Sequence, residues 1–351
     1  MLQSLNIKDY RNIQDIHLEF DEGINIFIGN NGQGKTNILE SIYSFSIGKA
    51  FRAKNFYEAI PFEKEAFHLH AKTQKGLLEI HAANSPRKQI KYLHSEKKCS
   101  YMDFLGNFYA VLFSPSDLEV VRGSPSMRRN YIDSLIIRLD KSYAYDLQHY
   151  EKILRQRNAL LKKLDENNYE DSQLDIWDEA LVKNAQPIWE KRKNTLKIFT
   201  KKVQKIYKDL SLKDHDVDIE YLQKGDPENF LEELQERRKK DIIIGSTTAG
   251  PHRDDILMHL NGKKASEFAS QGETRSLMLS STFTEVEMIE KEHEQSVVLL
   301  LDDVFSELDI SRQKALINLA KDRQTFITST HLEEIDLKGK IYKVQNGEIS
   351  A

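Results

Sequence analysis

The 351-residue sequence predicts an α/β fold, in which a parallel sheet carries a phosphate-binding loop and is interrupted by an inserted helical arm. Three observations predict it. Gly29-Asn30-Asn31-Gly32-Gln33-Gly34-Lys35-Thr36 reads G-x-x-x-x-G-K-[ST]. The strand-like Ile24-Asn25-Ile26-Phe27-Ile28 precedes it, and Ile38, Leu39, Ile42 and Phe45 follow at helical spacing, the context this loop needs. Val297-Val298-Leu299-Leu300-Leu301-Asp302-Asp303 is an apolar run ending in two acids, as buried parallel strands read. Long helical periodicity fills much of the chain between them.

Leu5 and Ile7 alternate with polar neighbours, as do Ile16, Leu18 and Phe20, so two half-buried strands open the chain. Tyr10-Arg11-Asn12 joins them. From there Arg11 fits either a nucleotide contact or a solvated loop arginine. Gly23 turns the chain into the strand that feeds the glycine loop. In such a loop, backbone N–H groups surround phosphate oxygens at the positive end of a helix. Lys35 then neutralises β/γ-phosphate charge, and the Thr36 hydroxyl takes Mg²⁺. Arg52, just beyond the loop helix, is a second candidate phosphate contact.

Phe67–Ala71, Leu77–His81 and Gln89–Tyr92 read as a small antiparallel sheet, and His68 and His70 alternate on one strand as structural residues. Val111-Leu112-Phe113 is a buried strand stopped by Ser114-Pro115. Ile132, Ile136, Leu139, Tyr143, Leu147, Tyr150, Leu154 and Leu161 predict one long helix, broken at Asn167-Asn168. A second helix carries Trp177, Leu181, Ile188, Phe199, Val203, Ile206 and Leu210, and Pro187 should kink or divide it. The pair suggests an antiparallel hairpin. Val217, Ile219 and Tyr221 form a strand, Glu228 to Lys240 a charged helix, and Ile242-Ile243-Ile244 another strand. Asp255 to Leu260 pairs with Lys263-Lys264 through a tight primed turn at Asn261-Gly262.

In the acid-ended strand, Asp302 holds Mg²⁺ directly or through water, and Asp303 stands where a carboxylate deprotonates attacking water. The glycine loop and these acids must meet around one ion although far apart in sequence. The helical region is therefore an insertion, which gives a head part at 1–121, an arm at 122–245 and a second head part at 246–351. Ser270-Gln271-Gly272-Glu273 opens an amphipathic helix one element ahead of the acid strand, with Ser270 as its N-cap. An ABC-type ATPase keeps its signature helix there. That likeness implies, as the full fold class, a P-loop NTPase of ABC ATPase type with an inserted α-helical arm domain.

Composition narrows the function. Charged residues are 30% and the net charge is −4, so nucleic-acid binding must use local patches. Arg128-Arg129, Lys191-Arg192-Lys193, Lys201-Lys202 and Arg237-Arg238-Lys239-Lys240 are the candidates. A single cysteine, Cys99, excludes an internal disulfide and any cysteine-cluster metal site, as suits a reducing cytoplasm. No apolar run reaches the roughly 18–20 residues of a membrane span, and no signal peptide opens the chain.

The chain resembles the RecF family of bacterial DNA-repair ATPases, whose head is of the ABC/SMC class. The residues that carry the likeness are Asp9-Tyr10-Arg11-Asn12, the glycine loop, Pro115 to Leu118, Gly123 to Arg129, Gly250-Pro251-His252-Arg253-Asp254-Asp255, the Ser270 segment, and Leu301 to Asp309. The resemblance implies a cytoplasmic protein that forms an ATP-dependent homodimer. Ser270, Gln271 and Gly272 of one copy would meet ATP held with Mg²⁺ by the other, and Ser306 to Asp309 would cross the interface. His331 matches a switch histidine, and a surface histidine fits that position equally. It also implies binding to DNA at gaps or single/double-strand junctions, and work with RecO and RecR in loading RecA. Asp303 is one methylene shorter than the usual glutamate, so hydrolysis should be slow, below about 10 s⁻¹. The competing readings are an ABC transporter subunit, another SMC-like or OLD-type ATPase, and a small-molecule P-loop kinase.

Overall fold

The computed structural model describes residues 1–53, 55–164, 170, 172–306, 308–330 and 338–350. Its contacts divide the chain into two units. The first comprises Met1–Leu118, Lys205–Lys213 and Gln271–Ala351, the second Glu119–Gln204 and Asp214–Ser270. The expected boundaries at 122 and 245 therefore shift. Residues 246–270 group with the insertion because the strand at Asp255–Leu260 pairs along its length with Val217–Leu222.

In chain order the first unit's early strands are β1 (Leu2–Tyr10), β2 (Ile13–Glu19), β3 (Ile24–Ile28), β4 (Ala66–Thr73), β5 (Gly76–Ala83), β6 (Gln89–His94), β7 (Lys97–Cys99) and β8 (Ala110–Phe113). The second unit supplies β9 (Val217–Leu222), β10 (Asp255–Leu260) and β11 (Lys263–Lys264). The first unit then closes with β12 (Val298–Leu301), β13 (Thr325–Ser329), β14 (Lys340–Gln345) and β15 (Glu348–Ser350).

Two sheets build the first unit. One is antiparallel, in the order β2-β1-β4-β5-β6-β7, so the opening strands join the later hairpins in a single layer. The other runs β15-β14-β3-β13-β12-β8 and is parallel from β14 to β8. The loop helix, Lys35–Ile47, shares one core with both. Ile38, Leu39, Ile42 and Phe45 pack with Ile7, Leu69 and Ile80 of the antiparallel sheet and with Phe27, Leu300 and Phe326 of the parallel one. A helix covered this way is buried nearly all round, so its polar residues need internal partners. Ser46 finds them in the backbone of Ala110, to which it donates at 3.1 Å and from which it accepts at 3.0 Å.

In the second unit the predicted long helix is two, Pro125–Leu139 and Ser142–Leu161. Asp140 between them is extended, and its carboxylate accepts from the Ser142 N–H at 2.8 Å, a side-chain bond that competes with the helical ladder. The break expected at Asn167-Asn168 lies outside the described residues. The next helix runs unbroken from Ser172 to Ser211 with Pro187 inside it. Leu181, Ala185, Ile188 and Trp189 are buried on either side of the proline, so packing holds the helix through the lost hydrogen bond. Arg157 meets Asp178, while Lys191 meets Asp146, which fixes the antiparallel sense of the hairpin. The charged helix is also two, Phe230–Glu236 and Arg238–Ile244. Ile242-Ile243-Ile244 is thus not a strand. It ends a helix capped by left-handed Gly245, with Ile243 and Ile244 exposed. The β10–β11 turn has positive φ at both Asn261 (49°) and Gly262 (73°), as a primed hairpin requires.

Several expected DNA-binding cations are paired with carboxylates of the chain instead. Arg192 forks onto Asp133 at 2.9 and 2.8 Å and reaches Asp254 at 3.0 Å. Arg238 pairs with Asp175 and Asp178, Arg128 with Asp255, and Lys191 with Asp140 and Asp146. Sequence clustering could not separate these from solvated cations, because their carboxylates lie 45 to 127 residues away. The Gly250–Asp255 segment lies at the centre of this network. His252 accepts from Tyr150 Oη at Nδ1 and donates from Nε2 to the Thr247 carbonyl, and burial pushes its pKa down to about 4.

Candidate functional site

The glycine loop leaves the end of β3, and Asp302 and Asp303 leave the end of β12, with β13 between those strands. Parallel strands place their carboxyl ends along one edge, where open α/β sheets form sites. Thr36, first on the loop helix after Lys35, donates to Asp302 at 2.9 Å across 266 residues of sequence. Thr328 of β13 donates to the same carboxylate at 2.7 Å and accepts from the Asp303 N–H at 2.9 Å. One threonine thereby positions both acids. Nothing in the sequence marked it beyond a polar residue near the end of a strand.

A cleft of about 280 Å³ opens here, lined by Asn31, Gly32, Gly34, Lys35, Thr36, Asn37, Arg52, Pro115, Asp302, Asp303 and Thr328. The loop suits close approach of a polyanion. Gly34 has φ 111°, and a Cβ there would meet the Asn12 side chain at 2.9 Å. Asn12 in turn accepts from Asn37 at 2.7 Å, which ties the β1–β2 turn to the loop. The backbone of Gly29 packs so closely on Val344 that a Cβ would lie 2.1 Å from its carbonyl oxygen. The Gly347 N–H donates to the Gln33 carbonyl at 3.0 Å, bracing the other side of the loop. Lys35 is largely buried and donates to the Asn30 and Gly29 carbonyls, and burial lowers its pKa against the pull of Asp303 and Asp302. A phosphate entering the loop offers that ammonium a full counter-charge.

Asp302 is 6% exposed. Burial raises its pKa, opposed by the hydrogen bonds from Thr328 and Thr36. Its carboxylate beside the Thr36 hydroxyl is an all-oxygen donor pair, which suits a hard divalent cation such as Mg²⁺. A cation needs the ionised carboxylate, so protons compete with it. Because the Asp302 pKa is raised, Mg²⁺-dependent nucleotide affinity should fall on acidification at a pH above the usual aspartate value of about 3.9. Thr328→Val removes a bond that stabilises the ionised form and should move this acid limb upward in nucleotide titrations at fixed Mg²⁺. An unchanged limb would show that Asp302 does not control the cation.

Asp303 has φ 45°, a left-handed conformation that aspartate and asparagine tolerate better than bulkier residues. Its carbonyl accepts from Arg275 at 2.9 Å and from Ser306 at 3.1 Å, so its backbone is held from both sides. Ser114-Pro115-Ser116-Asp117 forms a capped turn after β8 that brings Pro115 to the cleft. Burial, with Glu285 and Asp302 nearby, pushes the Asp117 carboxyl up to about 7.

The other sequence candidates fall in distinct places. Arg11 bonds Glu40 at 3.2 and 2.9 Å, while Arg52, on the same carboxylate, lines the cleft. Buried Glu40 therefore orients two arginines, of which the described cleft lining includes Arg52 alone. Gln271 and Gly272 open the helix Gln271–His293 and are also not part of that lining. Gly272 lies instead against Arg312, 2.9 Å from a Cβ built on it, and Arg312 belongs to the helix Ile310–Ala320 capped by Asp309. The signature start and the end of the 306–309 segment are thus neighbours within the first unit. Ser270 is grouped with the second unit. His331 and Glu307 lie outside the described residues.

The model of the AAA ATPase domain family matches residues 1–346. A DNA replication and repair protein RecF from Clostridium kluyveri is 36% identical over 362 residues, covering 99% of each chain. The RecF of Streptococcus gordonii is also 36% identical, again over 99% of each chain. A solved structure described as the recombination mediator protein RecF-ATP in the RecFOR pathway aligns with TM-score 0.90 and 32% identity, over 99% of this chain and 96% of that one. An SMC head bound to the C-winged helix domain of ScpA aligns with TM-score 0.56 at 15% identity, which shows a shared fold.

Proposed function

The chain belongs to the RecF family of DNA replication and repair proteins, and from that premise we propose that it is an ATP-gated DNA clamp. One observation carries the reading: the cleft assembles a loop lysine, a Thr36–Asp302 cation pair and Asp303, yet its described lining includes neither Gln271 nor Gly272. Half a site of this kind is completed by a second copy. Two chains close face to face, each presenting Ser270, Gln271 and Gly272 to the γ-phosphate of the ATP bound by the other, with Ser306 to Asp309 along the seam. The neighbourhood of Gly272 and Arg312 supports a common surface for these segments.

Within each site, Lys35 and the loop hold the β- and γ-phosphates, Thr36 and Asp302 hold Mg²⁺, and Arg52 adds a positive charge at the cleft. Mg²⁺ supplies charge neutralisation when bound. Asp303 orients and deprotonates the attacking water, and His331 serves as its switch partner. Hydrolysis is slow and resets the clamp. On DNA, the exposed Lys193, Lys197 and Lys201, four apart on one helix, supply a cationic row suited to phosphates, so binding is salt-sensitive and indifferent to sequence. The RecFOR description of the neighbouring structure supports RecO- and RecR-type partners; with them the clamp acts at gaps or single/double-strand junctions, where RecA is loaded.

Sedimentation with and without ATP tests this. The wild type should shift to a dimer with ATP, and Lys35→Met and Ser270→Arg should each abolish the shift. Self-association and DNA affinity indifferent to nucleotide in all three proteins would overturn it.

A further inference from the structure

The antiparallel sheet carries a second cluster of chemistry-bearing side chains, remote in role from the nucleotide cleft. His68 and His70 alternate on β4, and Glu79 and His81 on β5. The register sets His68 directly opposite His81 and His70 directly opposite Glu79. Phe67, Leu69, Ala71, Leu78 and Ile80 alternate with them and are buried, so the four polar residues share the face turned from the core. One ring nitrogen from each histidine lies within 4.8 Å of those of the other two. The Glu79 carboxylate joins them, 3.1 Å from His81 Nε2 and 3.4 Å from His70 Nδ1. Among the described residues this is the histidine grouping close enough to share an ion.

We propose that His68, His70, His81 and Glu79 form a binding site for a divalent first-row transition ion of the Zn²⁺ class, which staples β4 to β5. Three imidazoles and one carboxylate are a donor set such ions take in tetrahedral geometry, with metal–nitrogen distances of about 2.0–2.1 Å. The three histidine nitrogens, already within 4.8 Å of one another, need only side-chain rotation to close on an ion, since the backbone register already places them. Glu79, largely buried, offers the negative charge that offsets the ion. Lys8 opposite His68 and Lys91 opposite His81 are exposed, so water screens their repulsion. The alternation of His68 and His70 was visible in the sequence. The two ligands from β5 came into view only with the strand pairing.

The test uses the full chain, stripped by chelator and dialysed against Zn²⁺ with excess Mg²⁺ to occupy the oxygen site at Thr36 and Asp302. The wild type should take up one more Zn²⁺ per chain than the double variant His68→Gln/His81→Gln, and Zn²⁺ should raise the Tm of the wild type only. Co²⁺ should give the intense visible bands of a tetrahedral site in the wild type and not in the double variant. His70→Gln or His81→Gln alone should weaken Zn²⁺ by about tenfold or more, with circular dichroism and ATP binding unchanged. Equal zinc uptake by wild type and variants, or an octahedral Co²⁺ spectrum in the wild type, would overturn the assignment.

Discussion

Asp254→Ala should destabilise the second unit by about 3–5 kcal/mol, because several buried donors lose their acceptor at about 1–3 kcal/mol each. Asp254 is 0% exposed and accepts four kinds of donor. Arg192 reaches it at 3.0 Å, Trp189 Nε1 at 3.1 Å, the Tyr221 hydroxyl at 2.5 Å and the Lys224 N–H at 2.7 Å. Removing the carboxylate leaves the Arg192 guanidinium, itself 2% exposed, with Asp133 alone as counter-charge, and strands three neutral donors. The helix Ser172–Ser211, β9 and the turn after it all lose a shared anchor. Asp254→Asn keeps the shape and loses the charge, so its cost should fall between alanine and wild type. Urea unfolding followed by the fluorescence of Trp189, with Trp177 changed to phenylalanine in every protein, measures both. An unfolding free energy within about 0.5 kcal/mol of the parent, as for ordinary surface changes, would remove this network from the account of the fold.

Asp303→Asn should lower ATP turnover by about 10²- to 10⁴-fold, the range for losing a general base, while leaving nucleotide affinity nearly intact. The substitution is clean for a structural reason. The position has φ 45° and its backbone is held by Thr328, Arg275 and Ser306, and asparagine tolerates that conformation as aspartate does. Only the charge changes. Lys35 and the Thr36–Asp302 pair remain to hold the triphosphate and its cation. The proposed ATP-bound dimer should therefore persist for longer in this variant. Single-turnover hydrolysis together with sedimentation separates the effects. Full hydrolytic activity in Asp303→Asn would assign the base elsewhere.

Both predictions turn on residues whose importance was visible in the chain to different degrees. Asp303 was marked by its strand: five apolar residues and two acids name a buried parallel strand and its carboxyl end, and β12 takes in four of the five, Val298–Leu301. Asp254 was marked only by resemblance. Two of its partners come from a helix, one from a strand and one from the turn after that strand, between 30 and 65 residues away. No local pattern encodes such a meeting. The same holds for Arg192 and Arg238, which looked like DNA-facing cations until their carboxylates were placed beside them.

The sequence by itself determined what short-range physics can encode. The glycine loop, its strand and helix, the acid-ended strand and the primed hairpin follow from period, φ demands and glycine placement within a few residues. Tertiary structure decided what depends on distant partners. It let packing carry a helix through Pro187, made helix of Ile242-Ile243-Ile244, and gave Arg52 rather than Arg11 a place at the cleft through their shared carboxylate, Glu40. It also set Thr328 against two acids and gathered three histidines and a glutamate on one sheet face. The reason is the range of the forces: backbone propensity acts over one or two turns, whereas a buried polar group must find its partner wherever the fold supplies one.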